Sequence, residues 1–220
     1  MSVLPAREAY RLWAPTYEAE TAISFLEDRL VAQWGMRLTG LRLLDAGCGT
    51  GRRLRRSRAA LAVGVDLTPE MLLAGDGGGA LVAADVRALP LAAAAFDVVW
   101  CRLVVGHLPE LTTAYAELAR ACRPGGLVLV TDFHPDAAAA GHRRTFRGAD
   151  GEVHEVEHYV HALGDHLAAA RTAGLELWSR RDGRVGPILR PFYARAQRLD
   201  AYRAHRGLPV VLALAYHRVG

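Results

Sequence analysis

Leu43-Leu44-Asp45-Ala46-Gly47-Cys48-Gly49-Thr50-Gly51 is the stretch that decides the architecture of this chain. Residues 41–45 form a short apolar run of the length expected for a buried parallel strand, and it ends in glycines at every second position. Such glycines let the backbone turn tightly and let a ligand approach without meeting a Cβ. A dinucleotide loop needs Gly-x-Gly-x-x-Gly, yet position 52 is Arg, so the third glycine is misplaced for a pyrophosphate. A Walker A loop needs a lysine, and the chain contains none. Gly-x-Gly-x-Gly after an acidic residue suits instead a nucleoside with a short charged tail and no phosphate.

Outward from this loop the chain alternates. Residues 52–60 read as a short helix, 61–66 as a second strand, and Thr68-Pro69 as the cap and first turn of another helix. A flexible loop at 75–79 leads to a strand at 81–84, and a further strand follows at 96–103. A helix at 110–122 stops at Pro124-Gly125-Gly126 before a strand at 127–133. Strands alternating with helices at this spacing imply βαβ units and a parallel sheet. Upstream, Ala9, Leu12, Trp13 and Tyr17, then Ile23, Leu26, Leu30 and Trp34, recur at helical steps, with a break near Pro15. Downstream, 146–160 reads as a hairpin or extended lid, 163–173 as a helix and 175–181 as a strand. Residues 191–206 read as one helix with Phe192, Ala196, Leu199 and Tyr202 on one side, and 208–217 as the final strand.

A length of 220 residues with 51% hydrophobic content suits one domain, divided into a helical cap (1–40), a ligand-binding half (41–133) and a lid with C-terminal strands (134–220). The longest apolar run, 208–216, is too short to cross a bilayer, and the N-terminus lacks the order of a secretory signal. Only Cys48, Cys101 and Cys122 are present, so no disulfide framework is implied and the cytoplasm is the expected compartment. All 27 basic residues are arginines, which excludes lysine-based covalent catalysis and pyridoxal phosphate chemistry. The net charge of +4 is mild; its dense stretch, 52–58, reads as a solvated helix face before it reads as a nucleic-acid patch.

At this point the chain resembles the class I S-adenosylmethionine-dependent methyltransferases, in particular small-molecule enzymes of the ubiquinone and menaquinone biosynthesis type. Asp45 to Gly51 looks like the family's first motif, Gly64-Val65-Asp66-Leu67 its second, and Ala84-Asp85-Val86 with Leu89-Pro90 its third. Phe96-Asp97-Val98-Val99 and the stretch from Leu118 to Gly126 complete the set in order. The resemblance implies a Rossmann-like, doubly wound α/β sheet of seven strands, mostly parallel with an antiparallel last strand, beneath an N-terminal helical cap. It implies S-adenosylmethionine as cofactor, bound by Tyr10, Tyr17, Asp45, Gly47, Cys48, Gly49, Asp66, Leu67, Asp85, Val86 and Cys101. In chemical terms, a carboxylate at a strand's C-terminal edge can accept from both ribose hydroxyls, the role expected of Asp66. Asp85 and the Val86 N–H would meet the adenine edge. Asp45 either orients the ammonium end or braces the loop, and Asp97, at the opposite edge, reads as structural.

His107 and His134 follow the fourth and fifth strands of the sheet and are the candidate catalytic groups, though His107 reads first as a cap of the helix at 110–122. His154, His158 and His161 match no metal-ligand spacing, so no metal is expected. The expected partner is a small-molecule methyl acceptor, with neither nucleic acid nor membrane. The helix at 191–206 either covers the site or makes a homodimer contact. Within the fold, a nucleic-acid methyltransferase lacks its usual Asn/Asp-Pro-Pro-Tyr/Phe turn here, where the chain reads Cys101-Arg102-Leu103-Val104. The alternatives that stay open are a cyclase or lyase releasing methylthioadenosine, an RNA or DNA methyltransferase, and a non-enzymatic cofactor-binding subunit.

Overall fold

The computed structural model describes residues 3–75 and 79–220; positions 76–78 of the loop expected at 75–79 lie outside the described residues. The chain opens with β1 (Val3–Leu4), α1 (Ala6–Trp13), a 3-10 turn at Ala14–Thr16 and α2 (Ala22–Ala32). Then comes the expected alternation: β2 (Arg42–Ala46), α3 (Arg52–Arg56), β3 (Leu61–Asp66), α4 (Pro69–Ala74), β4 (Ala80–Ala83), β5 (Phe96–Arg102), α5 (Thr112–Ala121) and β6 (Cys122–Phe133). The last third holds α6 (Pro135–Ala139), β7 (Thr145–Arg147), β8 (Val153–Val156), α7 (Leu163–Thr172), β9 (Leu175–Arg184), α8 (Arg190–Arg195), α9 (Leu199–Ala204) and β10 (Pro209–Arg218).

Seven strands form the main sheet in the order β4-β3-β2-β5-β6-β10-β9. The β2–β3, β2–β5, β3–β4 and β5–β6 pairs are parallel, while β10 runs antiparallel to both β6 and β9. This is the doubly wound sheet that the alternation predicts. Helices cover both faces, which is why β2 and β10 are apolar along most of their length: Leu43, Leu44, Ala46 and every residue from Val210 to Tyr216 are buried.

Three local features differ from the sequence expectation. The N-terminus is not wholly helical, because β1 adds in parallel to β8, pairing Val3 with Glu155 and Leu4 with Val156. With the β7–β8 hairpin it makes a separate three-stranded sheet, whose small core is Ala9, Phe146 and Val156. Such a pairing between segments far apart in the chain leaves no periodic trace in either. The helix expected at 191–206 is two helices, split where Gln197 takes a positive φ of 55°. A short helix at Pro135–Ala139, absent from the sequence reading, starts on proline and is capped by His134, whose Nδ1 accepts the Asp136 N–H at 3.1 Å.

Candidate functional site

The glycine loop is fastened to β3. Gly47 and Cys48 both donate their N–H to the Val65 carbonyl, at 2.6 and 2.9 Å. Asp66 holds the next turn: its Oδ2 accepts the Gly49 N–H at 2.8 Å and its Oδ1 the Thr68 N–H at 2.9 Å. Burial raises the Asp66 pKa, and these two backbone bonds offset part of that rise. Gly47 and Gly49 have φ of 84° and 58°, which side-chain-bearing residues rarely adopt. A Cβ at Gly47 would meet Val104 at 2.1 Å, and one at Gly49 would crowd Met71 at 3.1 Å and Tyr17 at 3.4 Å.

Tyr17, Met71 and Val104 are walls of a cavity of about 150 Å³ at the C-terminal ends of β2, β3 and β5. Open α/β sheets bind their ligands in this position. Of the expected cofactor residues, Tyr10, Tyr17, Gly47, Gly49, Asp66, Leu67, Asp85 and Val86 line it, together with His107. Asp85 is paired with Arg87 at 2.6 Å, and the guanidinium's hydrogen bonds lower its pKa despite partial burial. Met71, Thr68, Arg87 and Val104 also line the cavity and were not singled out by sequence reasoning. Thr68 and Val104 carried a signal, since each stands two residues past the end of a strand.

Three expected cofactor residues lie off the cavity wall. Cys101 is fully buried in the main core, where burial raises its thiol pKa; Arg102, Leu103 and Val104 line the cavity beyond it. Cys48 is buried under the loop against Gly64, with its thiol pKa likewise raised by burial. Asp45 is completely buried, and neither of its carboxylate oxygens has a hydrogen-bond partner among the described residues. Burial pushes its pKa up to about 6, although Arg53 and Arg102 oppose the rise. Asp97 accepts the Arg42 N–H at 2.8 Å and pairs with Arg123 at 2.6 Å, a structural clamp away from the cavity.

His107 is a latch between cap and lid. Its Nδ1 donates to the Glu157 carbonyl at 2.9 Å, which leaves Nε2 to accept from the Tyr10 hydroxyl at 3.0 Å. Burial, reinforced by the nearby Arg144, pushes its pKa down to about 3, so the ring is neutral. It does not cap α5: Glu110 does, accepting the Thr112 N–H at 2.7 Å. His134 is buried at the start of α6, apart from the cavity. The remaining histidines of the lid disperse: His154 stacks on Phe146, and His161 donates to the Leu108 carbonyl. His158 and His166 flank the buried Asp132 at 3.7 and 3.6 Å. Burial alone would raise the Asp132 pKa, but the two imidazoles outweigh it and hold the carboxyl well below its usual range.

A second cavity, of about 260 Å³, adjoins the first and shares Tyr10, Tyr17 and Leu103 with it. Leu103 takes a φ of 60°, a conformation costing a bulky residue about 1–3 kcal/mol. Its N–H is pinned by Thr131, bonding the backbone oxygen at 2.9 Å and Oγ1 at 3.0 Å. Thr131 Oγ1 in turn donates to Glu27 at 2.9 Å. Glu27 is fully buried and also binds Arg102 (2.6 Å) and Arg53 (2.9 Å), so α2, α3, β5 and β6 meet beneath the junction of the two cavities.

Residues 44–130 match the family described as methyltransferase domain. The chain is 32% identical over 201 residues to the 27-O-demethylrifamycin SV methyltransferase of Amycolatopsis mediterranei (strain S699), covering 84% of this chain and 71% of that enzyme. It belongs to the S-adenosylmethionine-dependent methyltransferase family. It is also 32% identical over 173 residues to the malonyl-(acyl-carrier protein) O-methyltransferase of Dechloromonas aromatica (strain RCB), covering 77% of this chain and 64% of that enzyme. The fold is shared with an S-adenosylmethionine-dependent methyltransferase from Mesorhizobium loti (TM-score 0.68, 20% identity, 90% and 100% of the two chains). It is shared equally with the [4+2]-cyclase SpnF (TM-score 0.68, 21% identity, 100% of each chain).

S-adenosylmethionine is the cofactor of this family member, and the first cavity fits it. Any Cβ at Gly47 or Gly49 would intrude on the cavity's own walls, and Asp66 stands at the strand edge where a ribose needs an acceptor. Asp85 and the Val86 backbone line the same cavity where an adenine edge would sit. No helix among the described residues is long and apolar enough to cross a membrane.

Proposed function

We propose that the protein transfers the methyl group of S-adenosylmethionine to an oxygen atom of a small organic acceptor. The observation that carries this reading is the pair of adjoining cavities with a common wall of Tyr10, Tyr17 and Leu103, one with the glycine cradle and one beside it. An enzyme that only cleaved or cyclised its cofactor would have no use for the second compartment. Both relatives named above are described as methyltransferases, and each name specifies oxygen as the atom concerned.

When bound, the cofactor supplies a methyl group on a positively charged sulfur, already electrophilic. The residues' work is therefore alignment and exclusion of water. Asp66 and the loop N–H groups it orders would fix the ribose, and Tyr17 and Met71 close the cradle against Gly49. Leu103 separates donor from acceptor space, held by Thr131 in its left-handed turn. His107, neutral and with both nitrogens engaged, positions Tyr10 and the lid backbone at Glu157. A small-molecule partner belongs to the same reading, as does a cytoplasmic location, for which three free, buried cysteines speak.

The test is to incubate the protein with S-adenosylmethionine and an acceptor panel and identify the thioether released by mass spectrometry. Adenosylhomocysteine with a methylated acceptor is the expected pair. Methylthioadenosine would replace the reading with the cyclase or lyase alternative, and tight cofactor binding without any product would favour a cofactor-binding subunit.

A further inference from the structure

The second cavity has an electrostatic character that methyl transfer does not require. Among the described residues its lining includes four arginines (Arg52, Arg53, Arg143 and Arg144) and no aspartate or glutamate. Two of the four are committed elsewhere: Arg53 to Glu27 and Asp28, at 2.9 and 3.0 Å, and Arg143 to Glu155, at 2.9 Å. Arg52 donates to the Glu18 carbonyl at 3.4 Å and stands 3.9 Å from the Asp28 carboxylate. Among the described residues Arg144 has no acidic partner; its Nη2 donates to the Tyr10 hydroxyl at 3.3 Å, and its buried Nη1 has no acceptor there.

A buried guanidinium N–H without an acceptor is an unmet bond in the cavity wall, and an oxyanion is the group that satisfies a planar guanidinium best. The first turn of α2 adds to the same field. Thr21, Ala22, Ile23 and Ser24 line the cavity, so the positive end of an eleven-residue helix faces it. Trp13, Ala19, Ile23, Leu103 and Phe133 give the same cavity an apolar share of its wall.

We propose that the methyl acceptor is an amphipathic oxyanion whose carboxylate or phosphate docks on Arg144, with Arg52 beside it, while its apolar body lies on Trp13 and Phe133. This rests on the methyl-transfer reading and names the substrate class of that site. Arg144 is absent from the lining of the cofactor cavity and reaches it only through Tyr10, so the anion is a handle and another oxygen of the same molecule takes the methyl group.

The experiment measures, by calorimetry on the protein saturated with adenosylhomocysteine, the binding of octanoate, octyl phosphate and octanamide. One of the two anions is expected to bind at least about tenfold tighter than the amide, and the tighter one identifies the handle as acid or phosphate ester. Arg144→Gln should erase that preference while adenosylhomocysteine still binds within about threefold of its original affinity. Arg52→Gln should reduce it by a smaller factor, and it serves in place of Arg144→Gln should that variant fail to melt cooperatively. Three results overturn the proposal: equal binding of all three probes, or none; an anion preference that survives in Arg144→Gln; or loss of adenosylhomocysteine affinity in Arg144→Gln with anion binding intact. The last would assign the guanidinium to the cofactor's own carboxylate. Failure of the unaltered protein to bind adenosylhomocysteine would sink the methyl-transfer reading separately, and is read before any anion is added.

Discussion

At the scale of single residues, the cradle depends on carboxylates in very different states. Asp66 is partly buried and satisfied by two backbone donors, whereas Asp45, beneath the same loop, is wholly buried and satisfied by none. A carboxyl whose pKa rises on folding, here from 3.8 to about 6, favours the folded state at acid pH. That contribution is complete below pH 3.8 and is lost as the pH rises through about 6. Asp45→Asn removes the titration. Relative to the parent, it should be more stable at pH 8 than at pH 4 by on the order of 2–3 kcal/mol, read from urea unfolding at the two pH values. A difference that does not change with pH would show that Asp45 finds a partner in solution. Asp66 and Gly47 were legible in the sequence because a glycine loop followed by an acid at the next strand end is a spacing pattern. The isolation of Asp45 was not legible, since it depends on what fails to reach it.

Between elements, two hydrogen-bonded devices join the cap to the lid, beside the packing of Ala9 and Trp13 on Phe146 and Val156. One is the backbone pairing of β1 with β8. The other is a directional chain in which Arg144 donates to Tyr10, Tyr10 to His107, and His107 to the Glu157 carbonyl. Tyr10→Phe cuts the chain at its centre and leaves His107 Nε2 without its donor. The loss is worth about 1 kcal/mol, so amide exchange in α1 and β8 should quicken by roughly fivefold while the global melting temperature barely moves. Unchanged exchange would mean that the β1–β8 pairing and the packing on Phe146 hold the cap without this chain. Helical periodicity predicted α1 correctly, and Tyr10 was singled out as a residue near the cofactor. Its partnership with a histidine ninety-seven positions away was beyond any local pattern.

For the whole molecule, the buried Glu27 joins α2 to the sheet. It binds Arg102 and Arg53 and accepts from Thr131, which in turn pins Leu103 between the cavities. Burial would raise its pKa, but the two guanidinium groups prevail and lower it from 4.5 to about 2. Its contribution to stability is therefore present above pH 4.5 and lost as the pH falls through about 2. Glu27→Gln leaves two buried cations undercompensated and should cost about 3–5 kcal/mol at neutral pH, measured by denaturant unfolding. The acid limb of its stability curve should be flatter than the parent's. A cost under about 1 kcal/mol would show that the network is hydrated and replaceable.

The order of βαβ units, the glycine cradle and the acid at the end of β3 follow from the sequence itself. Each is a short-range pattern: an apolar run of strand length, a turn that only glycine tolerates, a polar residue where a strand ends. Tertiary structure alone decided which side chains point at the cavity. It turned Cys101 into the core, committed His107 to two partners and brought Arg144 beside Tyr10. Those outcomes depend on contacts between segments far apart in the chain, where burial and a missing partner, rather than spacing, set the chemistry.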